Sequence, residues 1–292
     1  MVVVAGSPQF AGAAALCCAA AGRSGAGIVV AALPRSIAPV VVGLAPEVTV
    51  AFLPDGESAS VAVRAAEAIG ERLERAGSMV IGPGLGDDEA TENLLAALFG
   101  PPRNRGGIGF GVPGHGAEAS GQGVVASSGR PVVVDADALN WLATKDSWWE
   151  HVPSERLILT PHAGEMARLV TLESDEVVAN ASDIARDAAA RWSQTVVLKG
   201  SPTLVASPDG TIRSCPTPVS LATAGSGDVL SGTIGALLAQ GLSPRDAAAL
   251  AVYVGSRAAE RVGERYGTLG LVASDLPAAI AEELCSLERM GD

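Results

Sequence analysis

One carboxylate stands between a glycine-rich turn and an apolar run in the stretch ATAGSGDVLSG, residues 222–232. Asp228 directly follows Gly225, Ser226 and Gly227, and small or aliphatic residues continue to Gly241, a helix stop signal. We therefore predict a loop that enters a buried helix over residues 225–241. The acid in its first turn has two explanations: it stabilises the positive end of a helix, or it belongs to an anion site whose unpaired amides bind a phosphate.

Four further motifs each follow a short apolar run that is typical of a buried strand. The motifs are GPGLG at 82–86, DADALN at 135–140, TPHAGE at 160–165 and KG at 199–200. Ligand sites in open parallel sheets lie beyond the carboxyl ends of the strands. We therefore expect these motifs to meet at one edge of a sheet.

The first two motifs offer close backbone approach and acidic groups. GPGLG lets a ligand approach the main chain, or it is a plain tight turn, which Pro83 favours. DADALN carries two carboxylates and an amide, on Asp135, Asp137 and Asn140. A simpler role for Asp137 is to cap a helix that begins near Ala138.

The other two motifs carry a histidine, an acid and a lysine. His162 and Glu165 are three residues apart at a predicted helix start, so both can face the same side; a lone histidine is more often structural. Lys199 comes directly after a buried strand, where an ammonium needs an anionic partner or a route to water. Because Lys145 is the only other lysine in the chain, Lys199 is a candidate ligand-binding residue.

Strands that alternate with helices must position these residues. We predict strands at 2–5, 28–33, 48–53, 79–81, 132–134, 157–159 and 196–198, and helices at 11–22, 58–76, 88–99, 175–192 and 225–241. This alternation indicates an α/β fold in which helices cover both faces of a largely parallel sheet. We find no linker and predict a single domain over 1–292, with a flexible surface loop inserted at 101–123. That insertion is either a lid or a segment without function.

Composition excludes several classes of function. A net charge of −12 argues against a surface for duplex nucleic acid, and 3% aromatic residues leave few platforms for stacking bases. The apolar run at 11–22 is too short to span a bilayer and lacks a preceding basic segment, so we expect no membrane contact and a cytoplasmic location. The four cysteines, at 17, 18, 215 and 285, form no C-x-x-C pair, and we expect them to be reduced and buried.

Taken in order, the motifs resemble those of the ADP/ATP-dependent NAD(P)H-hydrate dehydratases, a branch of the ribokinase-like fold. The matching pieces are GSPQFAGAAAL, RSGAG, GPGLG, VVDADALN, LTPHAGEMARL, VVLKG and ATAGSGDVLSGTIGALLAQG. The resemblance covers residues 1 to about 285. It implies a three-layer α/β/α fold with a largely parallel central sheet. It departs from the family at Ala224, where relatives often have glycine, and at the 101–123 insertion, which is longer than usual.

The resemblance also implies a repair reaction with assigned residues. Hydrated NADH or NADPH, (S)-NADHX or NADPHX, is phosphorylated at its new hydroxyl with ADP or ATP and Mg²⁺, and elimination of phosphate restores the coenzyme. Asp228 would be the general base. Five residues would contact the hydrate: Ala13, Gly86, Asn140, His162 and Asp228. Eight would hold the nucleotide and its transferring phosphoryl group: Lys199, Gly200, Ser201, Pro202, Thr203, Gly225, Ser226 and Gly227. Glu165 would help organise magnesium, through water.

Two other functions use the same features. A kinase of the same fold that acts on a sugar or a vitamin precursor also needs G-x-G-D before a helix, although TPHAGE and GPGLG favour the dehydratase. A nucleotide-binding protein without catalysis would not need the base Asp228. The small-residue segment at 11–22 is compatible with a homo-oligomer. Since the chain begins almost at its first strand, we expect no fused epimerase domain and a separate NAD(P)H-hydrate epimerase as a partner in the cell.

Overall fold

The computed structural model of the chain describes residues 1–54, 56–100 and 123–291. Within them, nine strands form one sheet in the order β3-β2-β1-β4-β5-β6-β7-β8-β9. The strands are β1 (Val2–Val4), β2 (Val30–Leu33), β3 (Thr49–Phe52), β4 (Met79–Ile81), β5 (Val132–Val134), β6 (Leu157–Leu159), β7 (Thr195–Leu198), β8 (Thr203–Ala206) and β9 (Ile212–Cys215). The strands from β3 to β7 are parallel, and β8 and β9 continue the sheet antiparallel.

Helices cover both faces of the sheet in the described part of the chain. They are α1 (Ala11–Arg23), α2 (Ala38–Leu44), α3 (Ala59–Leu73), α4 (Glu89–Phe99), α5 (Val124–Ser127), α6 (Asp137–Ala143), α7 (Ala163–Val170), α8 (Ser174–Ala179), α9 (Ala181–Trp192), α10 (Ser226–Ala239), α11 (Pro244–Tyr266) and α12 (Leu276–Gly291). Alternate strand residues point to opposite faces. Thus Val132 and Val134 pack under α3, α4, α6 and α9, whereas Val133 packs under α1, α10 and α11. These are the three α/β/α layers that the sequence predicted.

The seven predicted strands are all present. Six of them, β1, β2 and β4 to β7, are nearly continuous apolar runs that the sheet buries on both faces, whereas β3 at the edge of the sheet is partly exposed. The predicted helix at 175–192 was wrong as one element, since the structure interrupts it at Asn180 between α8 and α9. The prediction of a loop at 101–123 concerns residues outside the described part, apart from Gly123, which precedes α5.

Sequence reasoning missed the hairpin of β8 and β9 and the helices α11 and α12. The β9 residues Arg213 and Ser214 are exposed, so this strand at the edge of the sheet lacks an apolar pattern. For α11 a signal was present: Ser243 caps the helix by accepting from the Asp246 amide, and Pro244 stands at the first helical position.

All four cysteines are free, as expected, but only Cys17 and Cys18 are buried; Cys215 and Cys285 are half-buried. Among the helices that the structure describes, none is both long and apolar enough to cross a bilayer.

Candidate active site

Asp228 lies in the first turn of α10, and the packing of α10 against α1 fixes its place. A Cβ atom at Gly232 would stand 2.2 Å from the carbonyl oxygen of Cys17, so the two helices meet at backbone distance. Gly225, the N-cap, has φ of +89°, a value that glycine adopts without strain. The glycines of the motif therefore set the turn and the helix contact that hold Asp228 at the edge of the sheet.

A buried ion cluster lies beside this helix start. Lys199 Nζ is 2.9 Å from Asp135 Oδ1 and 3.6 Å from Glu165 Oε2, and the Ser231 hydroxyl donates to Asp135 Oδ2 at 2.7 Å. Asp135 is only 1% exposed, and it faces α10 because Val134 before it faces the other layer. Burial alone would lower the pKa of Lys199, but the charges of Asp135 and Glu165 outweigh it and raise that pKa. Lys199 thus has the anionic partner that its position after a strand required.

The Asp228 carboxylate differs from its acidic neighbours because no described residue forms an ion pair or a side-chain hydrogen bond with it. Burial and the negative charge of Asp135 raise the pKa of Asp228 from 3.8 to about 7, although Lys199 opposes this shift. A carboxylate whose pKa lies near neutral pH is well matched to accept a proton from a hydroxyl.

The amides at the start of α10 are partly available to an anion. The Gly227 and Asp228 amides donate to no backbone or side-chain acceptor in the described chain, whereas the Ser226 amide donates to Thr223 O at 3.3 Å. The Ser226 hydroxyl donates to Leu221 O and Thr223 O. Ser226 therefore holds the preceding loop to α10, and the Gly227 and Asp228 amides remain without an acceptor among the described residues.

A cavity of about 520 Å³ opens beside Lys199 and Gly227. Polar groups line it at Lys199, Gly200, Ser201, Thr203, Thr217 and Ser226, and apolar side chains line the rest at Val219, Leu221, Val229, Ala251, Val252, Leu276 and Ile280. Its volume lies within the range of sites for cofactors and drug-sized ligands. Of the eight residues expected at the nucleotide, Pro202 and Gly225 do not line this cavity.

His162 and Glu165 form the start of α7. His162 Nδ1 accepts from the amides of Gly164 and Glu165, and the Glu165 carboxylate accepts from the His162 amide at 2.8 Å. His162 is therefore the N-cap of α7, and its ring also lines the cavity mouth. The expected contact of His162 with the hydrate stays a prediction.

The remaining residues expected at the hydrate lie away from the cavity. The loop after β4 packs on the start of α1, since a Cβ atom at Gly84 would stand 2.8 Å from Ala13 Cβ. The Gly86 amide donates to Asp137 Oδ2 at 2.8 Å. The interpretation of Asp137 as a helix cap was wrong: α6 begins at Asp137 itself, its N-cap is Ala136, and the carboxylate is turned to Gly86 instead.

Asn140, also expected at the hydrate, lies one turn further along α6, where its side-chain carbonyl accepts from Arg168 Nε at 3.0 Å.

Sequence reasoning named Lys199 and Glu165 but did not join them to Asp135, and it did not find Ser231 or the apolar cavity wall. Ser231 was already inside the quoted motif, three residues after Asp228, so helical spacing could have placed it on the same side. The cavity wall from α11 and α12 carries only ordinary core residues, which give no local signal.

Magnesium would need oxygen ligands at this site. Residues 1–54, 56–100 and 123–291 contain no group of three or more His, Cys, Asp or Glu side chains that could hold a metal ion. Asp135 and Glu165 are already turned to Lys199. The site therefore fits an ion that is carried mainly by nucleotide phosphates, as Mg²⁺ usually is.

A mostly parallel sheet between helical layers, with a glycine-bounded helix start and a cavity at its edge, is the ribokinase-like fold. A family model for NAD(P)H-hydrate dehydratase matches residues 1–100 and 108–282. The chain therefore belongs to the NAD(P)H-hydrate dehydratase family.

Individual proteins that the chain is similar to are members of the same family. The chain is 34% identical over 284 residues to the ADP-dependent (S)-NAD(P)H-hydrate dehydratase of Neisseria meningitidis, which covers 96% of this chain and 83% of that protein. It is 36% identical over 279 residues to a bifunctional NAD(P)H-hydrate repair enzyme of Moorella thermoacetica, covering 94% of this chain and 47% of that enzyme. The chain thus spans about half the length of the bifunctional relatives it matches.

Among solved structures, the fold is similar to that of the ADP/ATP-dependent NAD(P)H-hydrate dehydratase of Bacillus subtilis, co-crystallised with ATP and Mg²⁺. The TM-score is 0.72 at 25% identity, over 98% of this chain and 88% of that one.

Proposed function

We propose that this chain restores NADH and NADPH from their hydrated forms, (S)-NADHX and NADPHX, with ADP or ATP as co-substrate. The observation that carries the proposal is the position of Asp228. It stands beside the free amides of Gly227 and its own backbone, next to a cavity that Gly227 and Lys199 line. A nucleotide in this cavity would direct its terminal phosphate to the helix start, and a hydroxyl near Asp228 would receive it.

In the first step Asp228 accepts the proton of the hydrate hydroxyl while the oxygen attacks the terminal phosphorus of the nucleotide. The amides of Gly227 and Asp228 and the ammonium of Lys199 stabilise the charge on the transferring group. Lys199 keeps its proton because Asp135 and Glu165 raise its pKa. It therefore acts as a fixed positive charge and not as an acid.

In the second step the phosphate leaves and the double bond of the dihydropyridine ring is restored. Phosphorylation converts a poor leaving group, hydroxide, into a good one. We propose that Glu165 would contact, through water, a Mg²⁺ ion carried by the nucleotide, and such an ion would supply positive charge to the phosphates. The apolar wall around Val219 and Ile280 would hold the adenine ring.

Ala13, Gly86 and Asn140 are proposed to contact the hydrate on the side of Asp228 away from the nucleotide, and His162, which lines the cavity, is proposed to contact it from the cavity side. In this proposal the hydrate and the nucleotide would approach Asp228 from different sides. Two hydrogen bonds support these contacts, since they hold Gly86 and Asn140 in defined positions: the Gly86 amide donates to Asp137, and Arg168 donates to Asn140.

The test compares wild type with Asp228→Asn in the presence of hydrate and ADP or ATP. Restored coenzyme is followed by the absorbance of the reduced nicotinamide, and nucleotide binding is measured by calorimetry. We expect Asp228→Asn to lose at least about a hundredfold in turnover, the low end for general base catalysis, while it still binds nucleotide. Near-native turnover of this variant would show that Asp228 is not the base.

Three further expectations from the sequence belong to the same proposal: a cytoplasmic location, a homo-oligomeric state, and a separate epimerase that supplies the S form of the hydrate. Sedimentation of the purified protein tests the second. Turnover of the R form only after addition of an epimerase tests the third.

A further inference from the structure

Four carboxylates lie around the start of α10, and three already have a task. Asp135 and Glu165 neutralise Lys199, at 2.9 and 3.6 Å from its Nζ atom. Asp228 is the proposed base for the hydroxyl. Asp137 is the fourth, and it forms no ion pair with any residue that the structure describes.

Asp137 is held in a defined orientation on the hydrate side of the site. Ala136 before it has φ of +48° and ψ of −118°, an uncommon conformation for alanine that lets Asp135 and Asp137 turn to different neighbours. Asp137 Oδ2 accepts from the Gly86 amide at 2.8 Å, which leaves Oδ1 unengaged by described residues. Asp137 does not line the nucleotide cavity. It therefore contacts Gly86, a residue assigned to the hydrate, and its charge acts on Asp228 without its lining the nucleotide cavity.

The elimination step needs a base of its own. When water adds to a dihydropyridine, which is an enamine, the hydroxyl joins the carbon next to the ring nitrogen and a proton joins the following carbon. Restoring the double bond must remove both groups. The C–O bond breaks with its electron pair going to phosphate, the nitrogen lone pair assists, and the neighbouring carbon must lose its proton to form the C=C bond.

Other groups at the site are poor acceptors for this proton. Asp228 has just taken the hydroxyl proton, and Lys199 already carries its own. In a neutral His162 ring, Nδ1 accepts two backbone amides, so the proton is on Nε2 and that atom cannot accept another. Asp135 and Glu165 are held by Lys199.

We propose that Asp137 is the base of the elimination step and accepts the carbon-bound proton through Oδ1 as the phosphate leaves. This inference rests on the proposed repair reaction. It gives the two steps separate bases: Asp228 accepts the hydroxyl proton, and Asp137 accepts the ring-carbon proton. The positive charge that develops on the ring as the phosphate leaves makes the neighbouring proton acidic enough for a carboxylate. A nearby carboxylate such as that of Asp137 also stabilises this developing positive charge.

The experiment is a quenched single turnover, with enzyme in excess over hydrate and ATP present, on wild type and Asp137→Asn. Asparagine keeps an oxygen that can accept from the Gly86 amide, so the loop after β4 stays in place. Nucleotide consumed, coenzyme formed and phosphorylated hydrate are measured in the same samples by mass spectrometry. In the variant, we expect elimination to slow by at least about a hundredfold, the low end for a lost general base, so that the ratio of coenzyme formed to nucleotide consumed falls and phosphorylated hydrate accumulates.

Two results would overturn the inference: a ratio that stays at one in the variant, or a parallel fall of both steps with no accumulation. A second variant, Asp137→Ala with added formate, adds an independent test. Formate can occupy the vacated space as a free carboxylate and should restore elimination without accelerating nucleotide consumption; failure to do so also counts against Asp137 as the base. If wild type itself forms no coenzyme from the hydrate, the repair function fails instead, and the two failures are thereby distinguished.

Discussion

The Asp228 carboxylate should destabilise the folded protein at neutral and alkaline pH, so Asp228→Asn should be more stable than wild type. Burial and the charge of Asp135 raise the pKa of Asp228 from 3.8 to about 7. The folded chain therefore holds this proton more tightly than the unfolded chain, and ionisation opposes folding. The penalty begins to grow above about pH 4, where the unfolded chain ionises, and it is complete above about pH 7.

The size of the effect follows from the shift. Each pKa unit corresponds to about 1.4 kcal/mol, so about three units set an upper bound of roughly 4 kcal/mol above pH 7. Asp228 is only half-buried, and water reduces the penalty, so we expect a gain of about 1–3 kcal/mol for Asp228→Asn at pH 8. In a protein of this size that is a rise of about 2–6 °C in Tm.

Calorimetric unfolding at constant ionic strength between pH 5 and pH 8 measures this gain. Asp246→Asn is the matched control, because a hydrogen bond from Ser243 and the proximity of Arg213 lower the pKa of Asp246, so that its ionisation favours folding. The advantage of Asp228→Asn should shrink steadily as the pH falls, whereas Asp246→Asn should give no gain at pH 8. Two results would contradict this account of a desolvated carboxylate: Asp228→Asn is no more stable than wild type at pH 8, or its gain in the free energy of unfolding does not depend on pH.

Three further predictions concern the lysine, the histidine and the helix contact. Lys199→Ala should weaken ADP or ATP binding more than hydrate binding in separate titrations. It should also lower the free energy of unfolding by about 3–5 kcal/mol, because it leaves Asp135 buried without a partner. Lys145→Ala, at the other lysine, is the control, and an equal loss of affinity for both ligands would indicate that Lys199 is purely structural. His162→Asn keeps a good N-cap for α7, so the helix should stay folded. Because His162 is proposed to contact the hydrate, the variant should reduce coenzyme formation more than basal nucleotide hydrolysis. An equal effect on both activities would contradict that contact. Gly232→Ala should lower the free energy of unfolding by more than about 1–3 kcal/mol, the usual cost of overpacking, because its Cβ would clash with the Cys17 carbonyl. The control Gly263→Ala, where α11 leaves open space, should be neutral or stabilising. Equal Tm values for the two variants would contradict the close contact between α10 and α1.

The sequence predicted the sheet well because its parallel strands are short, apolar on both faces and separated by helical stretches. Val132–Val134 is such a strand, and the acids directly after it could be placed at the edge of the sheet without coordinates. The exposed strand β9 lacks this pattern and was missed. Local signals thus predicted the parallel strands, including the exposed edge strand β3, but missed the antiparallel pair of the buried β8 and the exposed β9.

The partners within the site could not be predicted in the same way. Asp135 and Ser231 are 96 residues apart in the chain, and Lys199 and Asp135 are 64 apart, so no local pattern joins them. Asp137 was interpreted as a helix cap because an acid before a helix usually is one. Its contact with Gly86 depends on how the loop after β4 folds over α6, which only the three-dimensional structure shows.

The most direct test of the proposed repair reaction is its stoichiometry. Purified protein is incubated with chemically prepared hydrate and either ADP or ATP, and nucleotide consumption is compared with the appearance of reduced coenzyme. Because phosphorylation only prepares a leaving group, we predict one coenzyme restored for each nucleotide consumed and no lasting phosphorylated product in the wild type. A stable phosphorylated product, or phosphorylation of a sugar or vitamin precursor with no effect on the hydrate, would contradict the account and assign the site to a kinase.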